Sequence, residues 1–225
     1  MATKCELFPP DEAHARAYTF LKDKISRCEY RPRERIYAHR IAEEIHISRT
    51  PVREALGRLV HEGLVRKDGG WGYSVRQLTS QEIRDLFSVR QALEMEAARA
   101  AVSKITAAEL ARIEKLLVLT SGHLKKERID DFVRVSREIH LAIVHASGNE
   151  LLIGLLVGLH EQIQALGYLL NARNLSRSPQ VLAENISIVN ALKLRDLDGL
   201  QGAIQTHLQN GCASTIDAMR DYMTP

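Results

Sequence analysis

The chain has 225 residues, 45% of them hydrophobic and only 5% aromatic. That length can bury one large core or two modest ones, and many Leu, Ile, Ala and Val with few aromatic rings favour helix-on-helix packing over a large sheet. The net charge is +3, yet residues 1–78 hold 15 Lys or Arg against 11 Asp or Glu while residues 79–225 hold 16 against 17. The positive excess therefore sits at the front, where a phosphate backbone could bind. Cys5, Cys28 and Cys212 are scattered, odd in number and without a CxxC pair, so neither a disulfide framework nor a thiolate metal site is indicated. The most apolar stretch, Leu151 to Leu170, is broken by His160, Glu161, Gln162 and Gln164 and reads as a buried amphipathic helix rather than a membrane span. No apolar leader follows Met1, and a reducing cytoplasm is the expected compartment.

In chain order, residues 1 to about 12 lack periodicity and read as a loose arm. From His14 to about Cys28 the apolar positions Ala17, Phe20, Leu21 and Ile25 follow helical spacing, interrupted by Lys24. Tyr30-Arg31-Pro32 stops that helix, because the residue before a proline is pushed out of the α region. A short helix over His39 to Ile45 places Ile41, Ala42 and Ile45 on one face, and His46-Ile47-Ser48 turns the chain. Ser48 is placed to cap a helix over Pro51 to Glu62 that buries Val52, Ala55, Leu56 and Leu59. Gly63 ends it, and three glycines between Gly69 and Gly72 separate two short apolar runs as a hairpin wing would. Residues 1–78 thus form one expected domain of three helices and a two-stranded hairpin.

Beyond it, Thr79 with Glu82 and Thr106 with Glu109 have capping-box spacing. These open helices over 79–102 and from 106. Further helices are expected over Ile129 to Ala146, Asn149 to Leu170, Pro179 to Leu194 and Leu197 to Tyr222, with Ser178 as a cap. Residues 79–225 are then an all-helical domain of six or seven helices without strands.

Arg49 and Arg53 are four residues apart, so they leave the helix about 40° from one another while the apolar residues face inward. Arginines at the exposed N-terminal end of such a helix can enter a major groove and pair with guanine or clamp a phosphate. The plainer alternative is a solvated face with Glu54 nearby. In the second half, Ser136 and His140 lie one helical turn apart and His207 sits in the last helix. Two imidazoles fall short of the three or four donors a tight metal site needs, and satisfied interior histidines are the commoner outcome.

The run from about Leu21 to Val75, carried by Ile41-Ala42-Glu43-Glu44-Ile45, Ser48-Arg49-Thr50-Pro51-Val52-Arg53-Glu54-Ala55-Leu56 and Glu62-Gly63-Leu64-Val65, resembles the winged helix-turn-helix domain of the GntR family of bacterial regulators. The resemblance implies operator contacts from Arg49 and Arg53, with Ser48 and Thr50 beside them. It also implies that Gly72 lets the wing tip approach the minor groove. His39, Arg40 and Lys67 are further candidates for phosphate, while Trp71 serves either the hairpin or a sugar ring. The family often has Pro-Gly where Pro32-Arg33 stands and Gly where His46 stands.

Arg90-Gln91-Ala92-Leu93-Glu94, Ile139-His140 with Ala146-Ser147-Gly148-Asn149, and Thr206-His207-Leu208 resemble the FadR-type ligand-binding domain called FCD. Many of its members hold Zn or Ni through an aspartate and three histidines, beside a carboxylate effector. Here Ser136 stands at the aspartate position and Asn185 at that of the second histidine; only His140 and His207 match. The resemblance then implies a polar effector site of Ser136, His140, Asn185 and His207 without a tightly held metal, with Arg90 facing an anion, and His160 available to complete a site if a metal is bound. His123, His145 and His160 otherwise read as surface or core fillers. A homodimeric repressor on an inverted-repeat operator, released or modulated by a small organic acid or related metabolite, is the expected whole; a constitutive or architectural DNA binder is the alternative. An enzyme is disfavoured, since no activated nucleophile, phosphate loop or complete metal triad is present.

Overall fold

The computed structural model describes residues 10–27, 29–69, 72–126, 128–171 and 177–223. Contacts divide the chain into two compact units, Met1–Leu78 with Gln164–Leu169, and Thr79–Ile163 with Leu170–Pro225. Cys28, Trp71, Cys5 and most of the expected N-terminal arm lie outside the described residues.

The first unit contains α1 (Pro10–Ser26), β1 (Arg35–Ile36), α2 (Ala38–Glu44), α3 (Arg49–His61), β2 (Val65–Lys67) and β3 (Tyr73–Val75). The sheet has three strands in the order β1-β3-β2, both pairings antiparallel. The expected two-stranded hairpin is therefore incomplete. Two residues, Arg35 and Ile36, add a third strand too short to leave a periodic signal. The core is the expected one: Ala17, Leu21 and Ile25 of α1 meet Val52, Ala55, Leu56 and Leu59 of α3, closed by Ile36, Ile41, Ile45, Val65 and Val75. Lys24, the break in the apolar stripe of α1, holds its ammonium 5.1 Å from the centroid of the Phe20 ring, 3.0 Å from Glu29 and 3.2 Å from Glu44.

Both turns where the sequence departs from glycine are left-handed. Arg33 has φ 67° and His46 φ 56°, a region that costs an L-residue roughly 1–2 kcal/mol. At His46 the cause is a Schellman cap, with Ile47 N–H donating to the Ala42 carbonyl at 3.0 Å and His46 N–H to Glu43 at 3.4 Å. Gly63 forms the same cap on α3, with φ 74° and Leu64 N–H on the Leu59 carbonyl at 3.0 Å. Here glycine removes the strain that His46 retains.

The second unit is a bundle of α4 (Ser80–Lys104), α5 (Ala107–Lys125), α6 (Ile129–Ala146), α7 (Glu150–Asn171) apart from its Gln164–Leu169 stretch, α8 (Ser178–Lys193) and α9 (Leu197–Met223). No strand follows β3 among the described residues. Both capping boxes form: Thr79 and Glu82 exchange bonds of 2.8 and 3.1 Å, Thr106 and Glu109 of 2.8 and 3.2 Å. Ser178 is the first residue of α8 rather than its cap; Arg177 precedes it. Helix α4 packs against α6 and α9, α5 against α6 and α8, and α8 against α9. Gly211 of α9 permits close approach to α4, since a Cβ there would lie 3.1 Å from the Phe87 ring. No helix among the described residues is long and apolar enough to cross a membrane.

Replacing Arg33 or His46 by glycine is expected to raise the stability of the chain by up to about 1 kcal/mol each, relief of φ strain outweighing the added freedom of the unfolded chain. Urea unfolding followed by circular dichroism checks it; a loss of stability for both variants would refute the strain argument.

Candidate nucleic-acid interface and buried polar site

Helix α3 begins at Arg49, two residues earlier than its apolar pattern suggests, so Arg49, Thr50 and Arg53 all belong to its first turns and all are exposed. Ser48 occupies the N-cap position in extended conformation, but its hydroxyl makes no capping hydrogen bond. The residues on the opposite side, Val52, Ala55, Leu56 and Leu59, are fully buried, which fixes the rotation of the helix and presents Arg49 and Arg53 together. Arg58, further along, is not part of this face: its guanidinium lies 3.9 Å over the Tyr18 ring and bonds Glu62 at 2.9 Å.

His39 and Arg40 are exposed at the start of α2 close to Tyr37, the imidazole 5.8 Å and the guanidinium 5.2 Å from its ring. Lys67 is exposed at the end of β2. The wing loop is closed by Asp68 N–H donating to the Gly72 carbonyl at 3.0 Å, and Asp68 also accepts from Ser74 Oγ and Arg66 Nε at 3.2 Å. At Gly72 an added Cβ would make ordinary 3.6 Å contact with Asp68, so the fold of the wing does not itself demand glycine there.

In the helical bundle the expected polar residues come together, linked by carboxylates that spacing alone does not flag. Asn185 Nδ2 donates to Ser136 Oγ at 2.6 Å. One turn beyond Ser136 on α6, the His140 ring stacks on that of His207 with centroids 4.6 Å apart. His140 Nδ1 is 3.2 Å from Glu94 Oε2 and His207 Nδ1 is 2.8 Å from Glu184 Oε2. Glu184 also accepts from Asn210 at 2.7 Å and from Arg177 at 3.2 Å. His160, expected as filler, lies within 3.3 Å of Glu94. His145 is exposed, and His123 lies 3.9 Å from Asp131, neither of them in the cluster.

Arg90 departs from expectation. Its Nε donates to Glu94 Oε1 at 2.5 Å, with both side chains buried, so its charge is committed within the protein instead of being presented to an anionic effector. Glu94 sits one turn after Arg90, an i,i+4 spacing that was readable as a pair; Glu184, Arg177 and Asn210 gave no comparable signal.

Burial would raise the Glu94 pKa, but Arg90, His140 and the nearby His160 hold it well below the usual carboxylate range. Glu184 behaves alike: burial raises it, and His207, Asn210 and Arg177 bring it down to about 2. Burial pushes His160 and His207 down to about 4, helped by the positive charge of Arg90 and opposed by the carboxylate each faces.

The four positions that would carry the family's metal do not fit a tightly held transition-metal ion. Ser136 and Asn185 bond each other, two imidazoles remain, and the two carboxylates are held by arginine and by imidazole Nδ1. No group of three or more His, Cys, Asp or Glu among the described residues is arranged for a metal.

Comparison with known proteins gives the context of both sites. Residues 13–75 match the model for bacterial regulatory proteins of the gntR family, and residues 85–210 match that for the FCD domain. The chain belongs to the GntR family of bacterial DNA-binding transcriptional regulators, in the group with an FCD domain, and is not an enzyme. It is 25% identical over 209 residues to the HTH-type transcriptional repressor RspR of Escherichia coli, covering 93% of this chain and 91% of that one. The solved structure of E. coli McbR/YncC aligns over 93% of this chain and 98% of its own, with TM-score 0.78 and 25% identity. A GntR regulator from Rhodococcus sp. RHA1 has the same fold, with TM-score 0.77 at 21% identity and coverage of 92% and 98%.

The neutral histidines set a pH dependence. His160 faces Arg90, Glu94 and His140, and His207 faces Glu184, His140 and Arg90. With folded pKa values of about 4 against 6.5 unfolded, the unfolded chain binds more protons between those values. Stability is therefore full above about pH 6.5 and is lost as pH falls towards 4, on the order of a few kcal/mol in all; the depressed Glu184 adds loss below pH 4.5. Unfolding free energies from pH 7.5 to 5 should fall in the native chain and fall less steeply when His160 and His207 are both Gln. A flat native profile would contradict this.

Proposed function

We propose that the protein acts as a homodimeric repressor on an inverted-repeat operator, with α3 in the major groove and the buried cluster of the FCD domain as its effector site. The observation that carries the DNA part is the joint exposure of Arg49, Thr50 and Arg53 on the first turns of α3 while its other face is wholly buried. Arg49 and Arg53 read base edges or phosphate, and Ser48, with a hydroxyl not used in capping, adds a phosphate contact. His39, Arg40 and Lys67 supply further positive or hydrogen-bonding contacts to the backbone, and Gly72 keeps the wing slim for minor-groove approach.

Dimerisation through the helical domain is supported by an outward stripe on α7, where Leu151 is 75% and Leu155 53% exposed with Gly154 and Gly158 between and after them. A second copy covering that face would remove it from water. For the effector site, support comes from Ser136, His140, Asn185 and His207 converging in a buried cluster, with the His140 Nε2 and Asn185 Oδ1 atoms left without a hydrogen-bond partner. Arg90 enters as the counter-charge of Glu94. An effector alters DNA affinity only so far as it binds the two arrangements of the dimer unequally.

Operator fragments selected from random DNA test the reading head. Arg49→Ala and Arg53→Ala should each weaken specific binding by about 1–3 kcal/mol, and the double variant should keep its circular dichroism spectrum and melting temperature. Unchanged operator affinity in the folded double variant would sink the assignment.

A further inference from the structure

The positive excess of residues 1–78 is not spread evenly over the DNA head. Residues 31–36 and 65–76, which hold the three strands and the turns beside them, carry six Lys or Arg against two Asp or Glu. The rest of residues 1–78 carries nine Lys or Arg and nine Asp or Glu. That remainder, α3 with its arginines included, is neutral, and the whole excess belongs to the sheet and its turns.

Strand register gathers part of this charge on one face. Arg35 of β1 and Arg66 of β2 both stand opposite Ser74 of β3, and residues opposite one another in antiparallel strands point to the same side of a sheet. Their neighbours Ile36, Val65 and Val75 point the other way, into the core. Arg35, Ser74 and Arg66 therefore form a row across the outer face, the two arginine backbones lying two strand spacings apart, roughly 10 Å. Arg35 is exposed, and Arg66 has 72% of its side chain in water. One carboxylate serves the row: Asp68 accepts from Arg66 Nε and from Ser74 Oγ, both at 3.2 Å. Among the described residues no carboxylate pairs with Arg35. Like charges at this separation repel within a Debye length, so the row gains nothing from folding and is matched only by an anion from outside.

We propose that the outer face of the sheet is a second DNA-contacting surface, on which Arg35 and Arg66 each bind a phosphate of the duplex backbone whatever the base sequence. Asp68, whose N–H closes the wing loop on the Gly72 carbonyl, also holds Arg66, so the row starts at the root of the wing. The guanidinium fork matches the geometry of phosphate oxygens. An acidic protein is the competing occupant. DNA is favoured by the chain's membership of a DNA-binding family and by the place of the row in the same compact unit as α3 and the wing. The proposal rests on that DNA-binding role and is separate from which bases α3 reads.

Affinity of the full-length chain for an operator selected from random DNA, and for a random-sequence duplex of equal length, is followed against potassium chloride from about 50 to 200 mM. Arg35→Gln and Arg66→Gln should each reduce the slope of log affinity against log salt by about 1, and weaken binding roughly five- to tenfold at about 0.1 M salt, on both duplexes alike. The double variant should lose about 2 in slope while keeping the native melting temperature and the native preference for operator over random DNA. Should Arg66→Gln lower the melting temperature by disturbing Asp68 and the wing, the slope of Arg35→Gln decides alone. An unchanged slope on both duplexes would overturn the proposal, leaving the row to an acidic protein partner or to guarding the sheet edges against pairing. A loss confined to the operator would overturn it as well, assigning the arginines to base reading. A native chain with no preference for operator would overturn the reading of α3, and the slopes on random DNA would still decide the sheet face.

Discussion

The helical domain depends on one constraint, the burial of the Glu94 carboxylate. Removing an ion of that size from water costs several kcal/mol even after the protein relaxes, so the side chain can sit inside only with partners that must then be held in place. Arg90 supplies the charge from the preceding turn of α4, His140 of α6 supplies a ring nitrogen, and His160 of α7 closes from a third helix. Three helices are thereby tied to one point. Glu184 repeats the arrangement on α8, gathering His207 and Asn210 from α9 and Arg177 from the segment before it. The stack of His140 on His207 joins the two groups. Buried ion pairs of this kind are weak contributors to net stability; what they supply is a defined helix register and rings held in one orientation.

A carboxylate on the far nitrogen of an imidazole is what orients histidines in metal sites. In this chain the Nδ1 atoms of His140 and His207 each face a buried carboxylate in the same way, and the Ser136 hydroxyl and Asn185 amide beside them bond each other.

Much of the DNA head was legible because its signals are local. The spacing of Val52, Ala55, Leu56 and Leu59 defines the buried face of α3, and the position of Arg49 and Arg53 follows from it. Gly63 and the two Thr/Glu capping boxes are likewise set by residues three or four apart. What escaped was either short or long-range. Strand β1 spans only Arg35 and Ile36, too little for alternation to register. Glu184 and His207, from different helices, meet only after folding, and no spacing announces that a glutamate on one helix will hold an imidazole on the next. Arg90 was misjudged for a related reason: a lone arginine near a predicted polar site suggests an anion, until the neighbouring Glu94 is found turned towards it and buried with it.

Helix α4 connects these two levels of organisation. It starts immediately after the first unit, fastened at Thr79 by the capping box, and carries Arg90 and Glu94 further along the same rigid rod. The same carboxylate accepts from Arg90 one turn before it, faces His140 Nδ1 of α6 at 3.2 Å and lies 3.3 Å from His160 Nε2 of α7. A displacement of α4 along its axis would therefore have to break or carry with it contacts to two other helices at once, which is what makes a buried carboxylate a stricter fixing point than the apolar packing around it.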